Sequence, residues 1–464
     1  MTVTPERSWV QDRADAFVAD LSEWLRIPSV SADPGHHGDV ARSAAWLAGR
    51  LEAEGWPQVE VWSDTAALPA VFASWPAADP AAPTVLVYGH HDVQPAELAD
   101  GWSFEPFSPE LVGEELRGRG ASDDKGHLAM VRFGVLAHLA ATGAGAPAVH
   151  LKLLAEGEEE SGSAHLDALL DRHRDALACD AIVVTDTGMV DRDVPTVCTG
   201  MRGMVDAEVT FRGASVDLHS GQFGGAVPNP VTELARFVAA LHDADGRVTV
   251  PGFYDDVREP TDRERTAWAA LPFDEPAWLA LSAAGAQATA GEAGWSTYER
   301  LWARPTAEVN GFHGGYGGPG AKTIVPHSAA VKLTFRLVAD QEPARIVRAV
   351  RAFVDAHTPS GLTAEVTGGP GVPPLVCDVD SALVSSIREA MGEALGAEVL
   401  PAREGGSGPE ALLSTELDAP LAFLGVMLPD DRIHAPDERA VLPLLLSGAE
   451  ATSRLWRLLG ERGV

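Results

Sequence analysis

The amino-acid sequence predicts an α/β fold that is interrupted by an inserted α+β domain. Continuous apolar runs at residues 84–89 and 181–185 are typical of strands that are covered on both faces of an α/β sheet. Residues 205–211 and 331–337 instead alternate apolar and polar side chains, which indicates half-buried, antiparallel strands. The chain has 464 residues, which is more than one hydrophobic core usually serves, so we expect two domains.

Apolar residues at helical spacing predict helices on both sides of the region with alternating strands. The predicted helices cover residues 17–25, 40–51, 128–139, 231–241, 343–357, 381–395 and 441–459, and a further apolar strand is predicted at 421–428. The change of pattern near residue 203 and the Gly-Gly-Pro sequence near residue 370 mark the limits of the insertion. We therefore expect a main domain formed by residues 1–203 and 371–464, and an inserted domain at 204–370.

Composition and charge exclude several classes of protein. The formal net charge of −32 at pH 7 argues against nucleic acid and anionic membranes as partners, since Lys and Arg recruit both. No apolar run approaches the roughly 20 residues of a membrane helix, and residues 1–11 lack the basic and apolar parts of a leader. The three cysteines are too few and too scattered for a disulfide framework or a thiolate zinc site. We expect a soluble, cytoplasmic protein.

Histidines and carboxylates follow several of the predicted strands. His90 and Asp92 come directly after the strand at 84–89, and Asp186 follows the strand at 181–185. Ligand sites in α/β sheets lie at the carboxyl ends of the strands, so we expect these side chains to meet. Imidazole and carboxylate groups are suitable ligands for hard or borderline divalent cations. The other candidates for the same site are Asp123, Glu160 and His434.

The segment at 155–162 contains three consecutive glutamates after an apolar strand. Two adjacent buried carboxylates raise each other's pKa unless a cation lies between them, and a divalent metal beside Glu159 and Glu160 would supply that cation. A solvated acidic loop is the alternative, and we expect Glu158 to be solvated. Likewise, the paired aspartates before the helix at 128–139 could be simple caps, and a histidine at a strand end is often structural.

Together these stretches resemble the M20 family of co-catalytic metallopeptidases, and within it the carnosinase-like and cytosolic nonspecific dipeptidases. The matching stretches are Tyr88–Pro95, Gly118–Gly126, Glu156–Ser163, Asp217–Gly221, Gly320–Thr323, Phe335–Val338 and Ile433–His434. They run in the family's order over nearly the whole chain, and this ordered set is highly specific. The resemblance implies a zinc-peptidase-like catalytic domain with a mixed sheet flanked by helices, and an inserted domain that acts as a lid and dimerisation domain.

The resemblance also implies two divalent metal ions per subunit, most often Zn²⁺, with Mn²⁺ or Co²⁺ as alternatives. His90, Asp123 and Asp186 would hold one ion. Asp123, Glu160 and His434 would hold the other, with Asp123 as the bridge between them. Deacylases and carboxypeptidases of the family tend to have Glu where this chain has Asp186, which favours the dipeptidase or aminopeptidase side.

The implied reaction is metal-dependent hydrolysis of dipeptides. A water that bridges the two ions would lose its proton to Glu159, which would then protonate the leaving amine. Asp92 would orient the site, and the peptide bond between Asp123 and Asp124 would be cis. Glu159 would thus act first as general base and then as general acid.

Residues outside the metal cluster are implied to bind the substrate. His219 of the Leu-His-Ser-Gly sequence would stabilise the developing oxyanion, reaching across a homodimer that forms through the inserted domain. Arg336, together with Gly406 and Ser407, would bind the substrate's C-terminal carboxylate, because an Arg fork suits bidentate pairing. His219 could instead form a hydrogen bond within its own domain, and Arg336 could pair with a structural Asp.

Two other functions remain open. The chain could be an N-acyl amino acid deacylase or amidohydrolase of the same family, which would prefer acylated over free amino termini. It could also be a non-catalytic protein that binds metal or peptide on the same fold. Three further histidines are expected to be structural or to support the ligands: His91, His313 and His327.

Overall fold

The computed structural model describes residues 4–63, 65–281, 283 and 285–464. Within these residues, no helix has both the length and the apolar character that crossing a membrane requires. The expectation that residues 1–11 lack the features of a leader falls partly outside the described residues.

The first part of the chain contains both helices and strands. The helices are α1 (Pro5–Gln11), α2 (Ala14–Leu25), α3 (His37–Ala53), α4 (Lys125–Thr142), α5 (Leu166–Arg172) and α6 (Arg174–Leu177). The strands are β1 (Gln58–Trp62), β2 (Ala70–Trp75), β3 (Thr84–His90), β4 (Glu110–Val112), β5 (Glu115–Arg117), β6 (His150–Glu156), β7 (Ala181–Val184) and β8 (Thr196–Met201). Single 3₁₀ turns occur at Pro34–His36, Leu98–Asp100 and Glu159–Ser161.

The middle of the chain contains strands of 2 to 10 residues and helices of 4 to 15 residues. Its strands are β9 (Gly203–Arg212), β10 (Leu218–His219), β11 (Thr306–Gly314), β12 (Ile324–Val325), β13 (Ser328–Leu337) and β14 (Thr363–Thr367). Its helices are α7 (Ser220–Phe223), α8 (Pro230–Ala239), α9 (Asp262–Ala269), α10 (Glu275–Leu281), α11 (Thr297–Trp302) and α12 (Pro343–His357). The last part of the chain contains β15 (Leu375–Val376), α13 (Ala382–Leu395), β16 (Leu400–Glu404), α14 (Glu410–Leu417), β17 (Leu421–Phe423), β18 (Arg439–Val441) and α15 (Leu442–Arg462).

A mixed sheet of six strands forms the centre of the main domain, in the order β1-β2-β6-β3-β7-β17. Strands β6, β3, β7 and β17 run parallel to one another, whereas β1 and β2 pair antiparallel with their neighbours. Helices α3, α4 and α13 pack against these strands, so nearly all of β3 is buried. The predicted mixed sheet with flanking helices is confirmed. Because β6, β3 and β7 are parallel, their carboxyl ends meet at one edge of the sheet.

The two ends of the chain complete this domain together. Helix α15 packs against both α4 and α13. This packing joins the last part of the chain to the first part. Trp456 of α15 and Phe17 of α2 are both buried in the same hydrophobic core. The chain therefore leaves the main domain for the insertion and then returns to it.

The inserted region has its own antiparallel sheet, in the order β11-β13-β9-β14. Burial alternates along β9 and β13, as the sequence pattern predicted, because one face is covered by α8 and α12. A second hydrophobic core lies under these helices and includes Val209, Leu234, Val331, Phe335 and Phe353. This separate core supports our proposal that the inserted domain spans residues 204–370.

The predicted strand at 421–428 is shorter in the structure, where β17 ends at Phe423. The next residue still donates a hydrogen bond to the carbonyl of Val184 at 2.8 Å, but then the chain leaves the sheet. At Gly425 the backbone passes so close to Thr187 that a Cβ would lie 1.9 Å from its carbonyl oxygen. Position 425 therefore has no room for a side chain at the point where the chain leaves the sheet.

Candidate metal centre

One group of potential metal ligands lies at the carboxyl edge of the mixed sheet. His90 is the last residue of β3 and is fully buried. Its Nε2 atom lies 2.9 Å from Asp123 Oδ1 and 3.5 Å from Asp186 Oδ2. Asp186 comes two residues after β7, the strand that is parallel to β3. We call His90, Asp123 and Asp186 the inner triad.

A second group shares Asp123 with the first. His434 Nε2 lies 3.0 Å from Asp123 Oδ2 and 3.0 Å from Glu160 Oε2. Within each group, one potential ligand atom per residue lies within 4.8 Å of the others. We call Asp123, Glu160 and His434 the outer triad. Asp123 therefore offers one oxygen to each triad, which is the arrangement that a bridging ligand requires.

The composition and electrostatics of the cluster fit two divalent cations. Metal–ligand bonds of about 2 Å place neighbouring ligand atoms about 3 Å apart, which agrees with the separations in both triads. Burial raises the pKa of Glu160, and the charge of Asp123 raises it further. Hydrogen bonds to Asp123 and Glu160 raise the pKa of His434 to about 10, because its imidazolium supplies the positive charge that these carboxylates need. Divalent cations would supply that charge instead.

Glu159 is an acidic neighbour of the cluster that belongs to neither triad. Burial raises its pKa to about 9, and the charges of Asp186 and Glu160 add to the increase while His90 opposes it. Its side chain lines a cavity of about 410 Å³ beside the cluster. A carboxylate with a raised pKa at this position is suitably placed to exchange protons with molecules in the cavity.

Asp92 and Gln94 connect the end of β3 to the glutamate turn. The Asp92 carboxylate accepts hydrogen bonds from the backbone N–H groups of Glu159 at 3.2 Å and Glu160 at 3.0 Å. The Gln94 side-chain amide lies 2.7 Å from Glu160 Oε2. The closest Asp92 atom to His90 Nδ1 is the backbone oxygen at 3.1 Å, and the carboxylate is farther away at 3.5 Å. Asp92 therefore orients the imidazole mainly through its carbonyl group and orients the glutamates through its carboxylate.

Glu438 supports the cluster and was not found by sequence reasoning. Its buried carboxylate accepts hydrogen bonds from the backbone N–H groups of Gly120, Ser122 and Asp123 at 3.0–3.2 Å. It also pairs with Arg119, whose Nη1 lies 2.7 Å away. Glu438 thus holds the glycine-rich loop in place immediately before Asp123. A single glutamate four residues after His434 carries no sequence signal of this role.

Asp124 and Gly89 explain why the cluster is compact. The peptide bond between Asp123 and Asp124 is cis, as the resemblance implied. Asp124 Oδ2 accepts hydrogen bonds from the His90 backbone at 3.1 Å and from Thr185 Oγ1 at 3.3 Å. A Cβ at Gly89 would lie 2.3 Å from that same oxygen, so only glycine leaves room for the contact.

The loop between β16 and α14 contributes a further part of the cavity lining. Gly406 and Ser407 line the cavity together with Asp123, Glu159, Asp186 and His434. Arg336 of β13 donates a hydrogen bond from Nη1 to Ser407 Oγ at 2.8 Å. The Ser407 hydroxyl in turn donates to the Arg202 carbonyl at 2.5 Å. The structure therefore brings Arg336 to the glycine-rich loop, where Ser407 rather than an Asp is its partner.

His219 lies apart from the cluster within one chain. It is exposed on β10, and its Nδ1 accepts a hydrogen bond from the Gly221 backbone at 3.0 Å. Among the described residues, those that line the cavity of about 410 Å³ do not include His219.

One expectation for the glutamate turn was wrong. Glu158 is buried rather than solvated, because its carboxylate accepts hydrogen bonds from the backbone N–H groups of Leu68 at 3.1 Å and His165 at 2.7 Å. His91 has a structural contact, since its Nε2 lies 2.8 Å from the Pro69 carbonyl. Burial lowers the pKa of His91 to about 4, which keeps the ring neutral.

Fold and site together define the class of this protein as a metal-dependent hydrolase. The family model described as peptidase family M20/M25/M40 matches residues 86–458, which is most of the chain. The chain therefore belongs to peptidase family M20/M25/M40, and the prediction of an M20-type metallopeptidase is confirmed.

Relatives and solved structures agree with this assignment. The chain is 29% identical over 467 residues to the Cys-Gly metallodipeptidase DUG1 of Saccharomyces cerevisiae, covering 96% of this chain and 95% of that protein. It is 28% identical over 445 residues to the Beta-Ala-His dipeptidase of Homo sapiens, covering 92% and 86%. The structure of yeast Dug1p matches with a TM-score of 0.83 at 26% identity over 99% of both chains. The metallo-carboxypeptidase Sso-CP2 of Sulfolobus solfataricus also matches with a TM-score of 0.83, at 29% identity, covering 96% of this chain and 99% of that one.

Proposed function

We propose that the protein is a dinuclear metallo-dipeptidase that hydrolyses short peptides with free termini. The observation that carries this proposal is the position of Asp123, whose two oxygens lie 2.9 Å from His90 Nε2 and 3.0 Å from His434 Nε2. The names of the relatives support a dipeptide substrate, since yeast DUG1 is a Cys-Gly metallodipeptidase and the human relative is a Beta-Ala-His dipeptidase.

We infer zinc as the metal, with manganese or cobalt as alternatives, because imidazole and carboxylate ligands suit all three. The inner triad and the outer triad would each hold one ion. Ions bound there would lower the pKa of a bound water and polarise the carbonyl group of the scissile peptide bond. The shared Asp123 would keep the two ions close enough to act on one substrate.

Glu159 supplies the proton transfer in this proposal. It accepts a proton from the attacking water and later gives that proton to the leaving amine. The backbone hydrogen bond from Glu159 to Asp92 supports this role, because it fixes the turn that carries the carboxylate. Positive charge in the triads would lower the raised pKa of Glu159 toward the range of a useful base.

The loop that carries Gly406 and Ser407 suits the C-terminal end of the substrate. Arg336 and Ser407 are held together by a hydrogen bond of 2.8 Å, and Gly406 leaves the loop backbone accessible from the cavity. Burial lowers the pKa of the Arg202 guanidinium to about 10, and the nearby charge of Arg336 lowers it further. The guanidinium groups of Arg202 and Arg336 lie near each other, and a substrate carboxylate would balance the positive charge that the neighbouring Glu308 leaves uncompensated.

We also propose a homodimer that forms through the inserted domain. Six large apolar side chains are exposed in this region among the described residues: Val216, Phe223, Val227, Val309, Phe312 and Tyr316. Strand β11, which carries two of them, lies at the edge of its sheet and can pair with another chain. In such a dimer His219 reaches the cavity of the other subunit and stabilises the developing oxyanion.

A subunit-mixing experiment tests the role of His219 across the dimer. Co-expression of His219→Ala with Glu159→Gln would produce mixed dimers in which one site has both functional groups. If His219 acts across the dimer, about a quarter of the sites regain activity under statistical mixing. If His219 acts within its own chain, no site in the mixture is active, and that result would contradict the proposal.

The central experiment pairs metal analysis with peptide hydrolysis. We expect about two divalent ions per subunit, hydrolysis of unblocked dipeptides, loss of activity on chelation and recovery when metal is returned. N-acetylated versions of the same substrates provide the matched control for a deacylase. The proposal would be contradicted if protein with full metal occupancy cleaved none of the unblocked dipeptides.

A cytoplasmic location is part of the same proposal. Cys179, Cys198 and Cys377 are free thiols, and free thiols persist most readily in reducing compartments. Cell fractionation with an antibody against the protein tests this location.

A further inference from the structure

A second cavity, of about 580 Å³, adjoins the cavity that contains the metal centre. Four aromatic side chains line this second cavity: Phe273, Trp278, Tyr298 and Trp302. We call it the aromatic pocket. Its four rings have no part in the proposed hydrolysis. A cavity of this size that is lined by aromatic rings is typical of a binding site for an apolar group.

The aromatic pocket and the metal cavity share part of their walls. Five residues from three segments line both: Gly188, Met189, Glu404, Leu428 and Pro429. Gly188 is two residues after Asp186 of the inner triad, so their Cα atoms are at most about 7 Å apart. The aromatic pocket therefore begins beside the inner triad, within reach of a side chain of a substrate that is bound there.

The aromatic rings hold one another in fixed positions. Tyr298 and Trp302 are neighbours on α11 and stack with ring centroids 4.3 Å apart. The Phe273 ring lies edge-on to Tyr298 at 5.1 Å, and Trp278 lies 5.9 Å from Phe273. The Tyr298 hydroxyl donates a hydrogen bond to the Pro272 carbonyl at 3.0 Å. Rings that are already held in place lose little conformational freedom when a ligand binds, which favours binding.

The segment that carries these rings is anchored to the main domain. Trp268 of α9 and Trp302 of α11 form a small hydrophobic core with Ala402 of β16. Glu264 of α9 also pairs with Arg403 of the same strand. The aromatic pocket is therefore formed before any substrate binds.

The charged side chains that line the aromatic pocket already have partners. Three arginines pair with carboxylates: Arg192 with Glu114, Arg403 with Glu264, and Arg439 with Asp430. The other acids accept hydrogen bonds, Asp191 and Asp274 from backbone N–H groups and Glu404 from the Thr187 hydroxyl. A pocket whose charges are already balanced is suited to a neutral group rather than to an ion.

The position of the aromatic pocket distinguishes the two ends of a dipeptide. In the proposed function, the C-terminal carboxylate binds at Arg336, Gly406 and Ser407. Among the described residues, those that line the aromatic pocket include none of these three. The N-terminal residue lies on the other side of the scissile bond. Its side chain is therefore the part of the substrate that can enter the pocket beside Gly188.

We infer that the aromatic pocket binds the side chain of an aromatic N-terminal residue, so that the protein prefers dipeptides such as phenylalanyl-glycine. This inference rests on the proposed function and adds the substrate class to it. Stacked and edge-on contacts with Phe273, Trp278 and Tyr298 stabilise the bound ring, and its removal from water adds to the binding. These three residues determine specificity and take no part in bond cleavage.

A purely structural role for the rings is the competing explanation. Trp302 is 6% exposed and serves the small core, whereas Phe273, Trp278 and Tyr298 are only half-buried and keep surface for a ligand. A structural role predicts that substitutions here lower the thermal stability without changing the choice of substrate. The decisive measurement is therefore a ratio between two substrates, which a general loss of folded protein does not change.

The experiment compares phenylalanyl-glycine with alanyl-glycine. We expect the wild type to prefer phenylalanyl-glycine by about tenfold or more in kcat/KM. Ala277 also lines the aromatic pocket, so Ala277→Trp fills the space while all four rings remain, and the ratio should fall to near one. Trp278→Ala removes one ring and should lower the ratio severalfold.

A ring elsewhere in the main domain provides the matched control. Trp9 is half-buried and packs edge-on against Phe133 at 5.4 Å, as part of the contact between α1 and α4. Trp9→Ala should lower the thermal stability but leave the ratio between the two substrates unchanged.

The outcomes separate this inference from the proposed function. A wild type that cleaves alanyl-glycine as well as it cleaves phenylalanyl-glycine would overturn the inference and leave the proposed function intact. An unchanged ratio in folded Ala277→Trp or in folded Trp278→Ala would also overturn it. If the metal-loaded wild type cleaves neither dipeptide nor any other unblocked dipeptide, the proposed function itself fails and the inference falls with it.

Discussion

The inner and outer triads share Asp123 but are built in different ways. The inner triad is set by the ends of two parallel strands, and the His90 side chain is 0% exposed. The outer triad depends on a loop, and the His434 side chain is 55% exposed. One half of a metal cluster can therefore be built on the ends of strands while the other half depends on a loop.

The loop of the outer triad has an unusual backbone. Three residues of this loop have φ near +60°: Arg432, His434 and Asp437. This left-handed region is unfavourable for residues other than glycine. Each such residue costs about 1 kcal/mol or more and persists only where surrounding contacts hold it. Asp437 is held by the backbone N–H and hydroxyl of Ser103 at 2.7 and 3.0 Å. We therefore expect the outer triad to bind its ion less tightly and to exchange it faster.

The largest expected effect comes from the group that serves both triads without belonging to either. Glu159→Gln keeps the size of the side chain but removes the base, so kcat should fall by about 10²–10⁴-fold while both ions are retained. Steady-state kinetics and metal analysis on the same sample test this. Glu52→Gln, an exposed substitution, provides the matched control. Unchanged turnover in Glu159→Gln would mean that another group moves the proton.

Removing one histidine from each triad tests the comparison directly. His434→Ala should lose the outer ion and keep the inner one, because His90, Asp123 and Asp186 remain intact. His90→Ala should lose the inner ion and also destabilise the fold, since it leaves buried carboxylates without a partner at a cost of about 3–5 kcal/mol. Metal stoichiometry and thermal unfolding give both readouts. Equal metal loss and equal stability in the two variants would contradict the distinction between the triads.

The inner triad was accessible to sequence reasoning for a physical reason. Apolar runs identify parallel strands, and parallel strands place their carboxyl ends at one edge, so polar residues after β3 and β7 had to lie close together. His434 was found by its motif, but its left-handed backbone was not predicted. Residue type alone does not reveal φ when the residue is not glycine.

Buried acids were the part that sequence reasoning missed. Glu158, Glu410 and Glu438 are all buried in the structure, although glutamate is usually exposed. Glu158 and Glu438 accept hydrogen bonds from backbone N–H groups that are distant in sequence, at Leu68 and in the loop before Asp123. Such contacts form only when the fold brings the loops together, so no local sequence pattern predicts them.

Glu438 provides the third test, because it holds the residue that joins the two triads. Glu438→Gln keeps the shape but weakens the hydrogen bonds to the loop before Asp123 and the pair with Arg119. We expect both ions to bind about 10–100-fold more weakly, since groups that orient metal ligands have effects of this size. Competition with a coloured chelator measures both affinities. A loss confined to one ion would mean that Glu438 does not act through the bridging aspartate.

The smallest expected effect concerns a contact that touches only the outer triad. Gln94 places its side-chain amide 2.7 Å from Glu160 Oε2, and Glu160 is a member of the outer triad alone. Gln94→Leu keeps the bulk of the side chain but removes this hydrogen bond to a charged group, so the outer ion should bind up to about tenfold more weakly. The inner ion should be unaffected, because Asp123 and His90 keep their contacts. A chelator titration that resolves the two ions measures the difference, and equal weakening of both would show that the triads respond as one unit.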